Sequence, residues 1–260
     1  MMPRAELFRD VLADLRIAAS FVTILPVASS QPAADGAVAR ATWALPLAGL
    51  MVGLAGALVY KIAIRFGLTP TLAALLALAT TALITGALHE DGLADTADGL
   101  GGGRTRERKL EIMRDSRIGS YGTCALILSF GLRWSALAAI ANPWTVTLAL
   151  CAAHIASRAG VPAFMSLVPP ARPDGLSAGA GSPPGRSVAI AFALGTLALA
   201  LTLGPGKALV SVILLSLAGL LLARLAIRQI GGQTGDILGA FEQLGEILIL
   251  LVAAALQMGR

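Results

Sequence analysis

The sequence predicts an all-α fold: a polytopic integral membrane helical bundle of about seven transmembrane helices plus an amino-terminal interfacial or re-entrant helix. Three observations carry this. Of 260 residues, 56% are hydrophobic and only 13% charged, against about a quarter charged in an ordinary soluble domain, and the mean hydropathy is +0.79. Apolar runs of roughly 20 residues, the length a bilayer crossing requires, recur along the chain. The charged residues gather in a few of the segments between them. The whole chain, 1–260, reads as a single membrane-embedded domain.

Residues 15–27 are too short to span and end at Pro26, so they read as the interfacial or re-entrant helix. Residues 41–60 contain no charge and form the first full span. Gly49, Gly53 and Gly56 lie there at the small-residue spacing that lets helices pack closely. A second apolar run covers 68–88. Residues 119–141 enclose Arg133, and 144–168 enclose His154 and Arg158. The runs 187–204, 208–223 and 237–257 follow, the last with Glu242 and Glu246 near its start.

Alternation then places segments 28–40, 89–118, 169–186 and 224–236 on one side. They carry Arg40, Arg104, Arg106, Arg108, Lys109, Arg114, Arg117, Arg172, Arg186, Arg224 and Arg228, whereas the other side has Lys61, Arg65, Lys207 and Arg260. That excess marks the first side as cytoplasmic. It also accounts for the net charge of +5 without nucleic acid. Cys124 and Cys151 both sit inside apolar runs, which argues against a disulfide framework or a cysteine-built metal site. Residues 1–16 mix charges with leucines and lack the uninterrupted apolar core of a signal peptide.

The strongest chemical signal is the run His89-Glu90-Asp91-Gly92-Leu93-Ala94-Asp95-Thr96-Ala97-Asp98-Gly99 after the second apolar run. Asp91, Asp95 and Asp98 are spaced i, i+4, i+7, within about 60° of one another on a helix. Three carboxylates on one face repel each other unless a cation intervenes. Hard oxygen donors, with no cysteine and one nearby histidine, favour Mg²⁺ or Mn²⁺ over zinc. Next come Gly101-Gly102-Gly103-Arg104 and a basic stretch ending in Arg114-Asp115-Ser116-Arg117. Glycines permit close backbone approach, and arginines recognise phosphate, so a Mg²⁺–diphosphate substrate fits. A mobile glycine linker and a positive-inside helix are the plainer reading of the same stretch. Arg158 interrupts an apolar helix, either as a functional charge or as one that snorkels to the interface. His154 reads as a hydrogen-bonded structural residue; His89, abutting the acidic run, stays ambiguous. Asp236, Gly239, Gln243 and Glu246, with Glu242 beside them, form a polar stripe on an otherwise apolar helix.

The run His89–Gly99, the stretch Leu110-Glu111-Ile112-Met113-Arg114-Asp115-Ser116-Arg117-Ile118-Gly119 and the turn Gly231-Gly232-Gln233-Thr234-Gly235-Asp236 together resemble the cobalamin synthase (adenosylcobinamide-GDP ribazoletransferase) family. The likeness extends to Phe21–Pro26 and Ser157-Arg158, almost the whole chain. It implies an integral membrane enzyme of bacteria and archaea, placed here in the inner membrane with its active site facing the cytoplasm. The implied reaction joins α-ribazole, or its 5′-phosphate, to adenosylcobinamide-GDP and releases GMP. On that reading Asp91, Asp95 and Asp98 hold Mg²⁺, with Glu90 as a further candidate ligand, and one of these carboxylates or Asp115 accepts the hydroxyl proton. Arg114, Arg117 and Arg158 would contact the diphosphate, and Asp236 and Glu242 would complete the metal or ribazole site. The expected partners are these small molecules and the bilayer, with a homo-oligomer left open. Two rivals are a CDP-alcohol-type phosphotransferase and a transporter. The first expects Ala-Arg after the leading Asp-Gly pair, where this chain has Ala94-Asp95. The second expects repeats with broken helices in matching positions, and no such repeat is visible.

Overall fold

Glycine, proline and short polar residues divide the apolar chain into helices, seen in a computed structural model that describes residues 4–27 and 36–255. Twelve helices are present among the described residues: α1 (Arg4–Val22), α2 (Ala37–Ala41), α3 (Leu45–Arg65), α4 (Pro70–Thr85), α5 (Leu88–Gly102), α6 (Arg106–Ile112), α7 (Ser120–Ile140), α8 (Pro143–Leu167), α9 (Leu176–Ala180), α10 (Gly185–Leu203), α11 (Pro205–Ile230) and α12 (Gly235–Ala255). A 3₁₀ turn, Thr42–Ala44, joins α2 to α3. The caps are legible in residue type. Asn142 accepts from the amides of Trp144 and Thr145 ahead of Pro143, and Thr69 accepts from Leu72 ahead of Pro70. Gly231, at φ 86°, ends α11 in the left-handed conformation. Expectations about residues 28–35 and Arg260 lie outside the described residues.

Six helices are long and apolar enough to cross a membrane: α3 with its α2 lead-in, α7, α8, α10, α11 and α12. The seventh crossing differs from the expected continuous run over 68–88. α4 has 16 residues, about 24 Å of rise, and then turns through 88° into α5. Gly86 and Ala87 both adopt left-handed backbone at the turn (φ 62° and 55°). The alanine pays roughly 1–2 kcal/mol for that conformation. α5 therefore leaves the line of α4 and packs against α7 and α12, with its first turn inside the bundle. The amino-terminal helix also starts earlier than expected, because the polar residues from Arg4 lower hydropathy without breaking a helix. Asp14, buried on α1, accepts from Trp43 Nε1 at 2.9 Å and pins α1 against the entry to α3.

α8 and α12 are the buried centre of the bundle, while α10 and α11 are mostly exposed. The three glycines of α3 act as their spacing predicts. A Cβ on Gly49 would overlap the carbonyl oxygen of His154, and one on Gly53 would come within 2.9 Å of the Leu150 carbonyl. One on Gly56 would reach 2.7 Å from Thr81. α3 thus packs backbone to backbone on α8 and closely on α4. Described parts of the segments expected on one side meet at one end, with Arg40 joined to the start of α10. A bridge pairs Pro170 with Gln233, Arg106 donates to the Ala171 carbonyl at 2.7 Å, and Ser187 donates to the Arg40 carbonyl at 2.8 Å.

Candidate active site

The acidic run is a helix, and the Gly86–Ala87 turn aims it across the bundle. On α5, Asp91 is exposed, Asp95 half-buried and Asp98 buried. Gly92 lets α12 approach: a Cβ there would sit 3.0 Å from the Asp236 carbonyl oxygen and 3.2 Å from the Gly239 Cα. Gly239 is bare for the same reason, facing Gly92 and His89 at 3.3 Å. This crossing carries Asp236 to the α5 carboxylates from more than a hundred residues away. Burial, then repulsion from Asp91, Asp236 and Asp98, pushes the Asp95 carboxyl up to about 7. Asp98 is tied down at the far end of the face. Its oxygens accept from the Gly119 amide at 2.7 Å and the Gly122 amide at 2.9 Å, capping the positive end of α7.

Most cations of the basic segment are taken up in local contacts. Lys109 donates to the Leu100 carbonyl at 2.6 Å, Arg106 to Ala171, and Arg108 pairs with Glu111 at 2.7 Å. α6 thereby folds back on α5, with Gly99 and Gly103 in close contact with Met113 and Lys109. Packing thus accounts for these two glycines, while Gly101 lies against the Tyr121 ring. Asp115 is held by Arg117 through both oxygens (2.7–3.2 Å), and that hydrogen bonding keeps its carboxyl down at about 2. Arg114 pairs with Asp174 across two exposed loops. Arg172, counted in the sequence only toward the charge of its side, sits where its charge acts on Asp236. Its Nη1 is buried and has no hydrogen-bond partner among the described residues. A guanidinium beside a carboxylate cluster was detectable in the sequence only as an arginine in a proline-rich loop.

The remaining predicted residues go elsewhere. Glu90 leaves the carboxylate face and turns inward, its Oε1 accepting from Arg133 (3.2 and 3.3 Å) and from Gln243 (3.3 Å). Arg158 and Glu242, expected as substrate contacts, are 1% and 0% exposed. They pair with each other, and Arg158 also donates to Glu246 at 3.1 Å. Arg133 reaches the other Glu246 oxygen at 2.9 Å with its guanidinium over the Phe130 ring. Ser157 donates to Glu242 at 3.2 Å, and Ser129 to Gln243 at 3.1 Å. His154, read as structural, pairs with Glu246. These residues do not reach solvent, so their contribution is to position α5, α7, α8 and α12. His154, Glu242 and Glu246 bring donor atoms within 4.8 Å of one another, but Arg158 already supplies the cation between the two glutamates. Asp91, Asp95 and Asp236, by contrast, join none of the ion pairs, whose acids are Asp14, Asp115, Asp174, Glu90, Glu111, Glu242 and Glu246.

With this geometry in place, comparison with known proteins adds a decisive match: residues 14–254 fit the family described as cobalamin-5-phosphate synthase. The chain belongs to the cobalamin-5-phosphate synthase family. Within that family it is 87% identical, over the full length of both chains, to a Bradyrhizobium diazoefficiens protein named adenosylcobinamide-GDP ribazoletransferase. A Mesorhizobium japonicum protein of the same name is 50% identical over 95% of this chain and 94% of its own. One from Azorhizobium caulinodans is 47% identical over 93% and 95%. No solved structure matches this cobalamin-5-phosphate synthase family member.

Proposed function

We infer that this protein is an adenosylcobinamide-GDP ribazoletransferase of a bacterial inner membrane, working at the cytoplasmic face. The relatives carry that name, and the observation that supports the chemistry is the convergence of Asp91, Asp95 and Asp236 beside Arg172. Their mutual repulsion, partial exposure and all-oxygen donor set fit a hard divalent cation. In this reading Asp91 and Asp95 would hold Mg²⁺, and Asp98 orients α5 by capping α7. When bound, the ion supplies charge neutralisation for a diphosphate and its departing nucleotide. Arg172, with the loop cations Arg114 and Arg117, binds the diphosphate oxygens. Asp236 faces the same cleft from another helix and accepts the proton of the attacking ribazole hydroxyl, since a carboxylate crowded by others is the better base. Asp115, held low by Arg117, is a poor one. The displaced group is GMP, and the product is the complete corrinoid or its 5′-phosphate.

The test is GMP release from adenosylcobinamide-GDP and α-ribazole by purified protein with Mg²⁺. Chelation should abolish it, and Asp95→Asn should lower it by about a hundredfold or more. Absence of product from folded wild-type protein, with ribazole or its phosphate, would overturn the activity. Undiminished turnover by Asp95→Asn would overturn the site.

A further inference from the structure

On the opposite side of α12 from the acidic face, the bundle is incompletely closed. α11 packs along α12 and α10 but makes little contact with α8, and the gap encloses a cavity of about 620 Å³. Its floor is Phe241 of α12, whose ring lies against Gly160 of α8 and Gly219 of α11. The walls are apolar, with small residues at Ala159 and Ala163 on α8 and Gly195 on α10. Along α11 the cavity runs from Val212 to Ile227, about 22 Å of helix rise. It is therefore a groove parallel to the spans, extending from mid-bundle to the end that bears the acidic site.

Interiors rarely leave voids much larger than a water molecule, and an unfilled apolar void forfeits the dispersion contacts of its lining. Within a bilayer, hydrocarbon is the filler at hand. Charge then narrows the choice. Among the described lining residues the one ionised side chain is Arg224, at the surface end of the groove. The ion-paired arginines are Arg40, Arg108, Arg114, Arg117, Arg133 and Arg158, so Arg224 is not among them. Arg228 lies one turn on along the same face of α11. An apolar slot about as deep as one leaflet, headed by two cations, complements an acyl chain beneath a negative headgroup. The groove has no carboxylate for a metal and is separated from the acidic site by α12, so the substrates are poor candidates for it. We propose that the groove binds one acyl chain of an anionic glycerophospholipid from the leaflet on the active-site side, its phosphate held by Arg224 and Arg228. The lipid completes the packing of α11 against α8.

Native mass spectrometry of the delipidated full chain, titrated with phosphatidylglycerol or with phosphatidylcholine of identical chains, tests this. Wild-type protein should take up one equivalent of phosphatidylglycerol in preference to phosphatidylcholine. Arg224→Glu should weaken phosphatidylglycerol uptake about tenfold, whereas Arg16→Glu, an exposed cation on α1 at the same end, should leave it unchanged. Ala223→Phe, which fills the groove, should remove uptake of both lipids; should it not fold, the Arg224→Glu titration decides alone. Equal uptake of the two lipids would overturn the proposal, as would phosphatidylglycerol uptake insensitive to Arg224→Glu. A wild-type oligomer that binds no lipid and dissociates in Ala223→Phe would overturn it in favour of a second copy.

Discussion

Replacing Arg133 with methionine tests whether the buried charge network holds α5 in place. Arg133 is 1% exposed and bridges Glu90 on α5 to Glu246 on α12. Without it, Glu246 keeps Arg158 and His154, but Glu90 keeps only the neutral Gln243 donor, and its Oε2 already lacks a partner. The network holds three acids, Glu90, Glu242 and Glu246, around two guanidiniums, so the variant strips Glu90 of its charged partner. Removing one partner of a buried pair costs about 3–5 kcal/mol, a large share of the 5–15 kcal/mol typical of folded proteins. Neutralising the stranded acid should recover part of that loss, so Arg133→Met with Glu90→Gln should be more stable than Arg133→Met alone. A coupling of about 1–3 kcal/mol is expected from the cycle. Reversible unfolding in mixed detergent micelles, followed by helicity, reads all four proteins. A loss below about 1 kcal/mol for the single variant, or no recovery in the double, would refute the reasoning.

Three further outcomes are expected. Gly49→Ala drives a methyl into the His154 carbonyl and should destabilise by about 2 kcal/mol or more, whereas Gly131→Ala, with open space around it, should be neutral or gain up to about 1 kcal/mol; thermal unfolding of the pair checks both. Ala87→Gly should raise stability by about 1 kcal/mol by relieving a left-handed backbone, and Ala87→Val should lower it; equal melting temperatures for the three proteins would contradict the turn's role. Because the folded Asp95 carboxyl is raised to about 7 from its ordinary 3.8, the metal-free fold binds the extra proton between those values. Its stability should therefore rise as pH falls from about 7 toward 4 through this group. Melting curves in EDTA should show that slope, and Asp95→Asn should flatten it. Metal affinity should move the opposite way, weakening below pH 7 as protons compete.

Much of the architecture can be read from hydropathy, because a bilayer demands long apolar helices with their backbone bonds closed internally. Six spans, the α3 glycines and the shared end of the basic segments all follow from it. The right angle between α4 and α5 does not, since apolarity continues through Gly86-Ala87-Leu88 while the backbone reverses hand there. The helical face of Asp91, Asp95 and Asp98 is legible from spacing alone, but the arrival of Asp236 depends on a glycine-to-glycine helix crossing. The stripe on α12 misleads for the same reason. Asp236 faces the cleft, Gly239 the crossing, and Gln243 and Glu246 the interior, so one sequence pattern serves three environments. Arg158 and Glu242 stood out as costly intramembrane charges. That each neutralises the other, 84 positions apart, is a property of the α8–α12 contact. Arg133 carried the same warning in the sequence and belonged beside them.

The helix that presents the acidic face is fastened near both ends. Its first turn is held from within the bundle through Glu90 and Arg133, and its last by Asp98 on the amides of α7. A beam clamped in this way cannot swing aside to relax the crowding of Asp91, Asp95 and Asp236. A cation held there, as the proposed function has it, would meet carboxylates on an already fixed helix, with little chain entropy left to surrender. The cost of assembling like charges is met in advance by folding, and a bound cation would offset it. Loosening either clamp should therefore show first as weaker metal affinity, before any change at the reacting atoms.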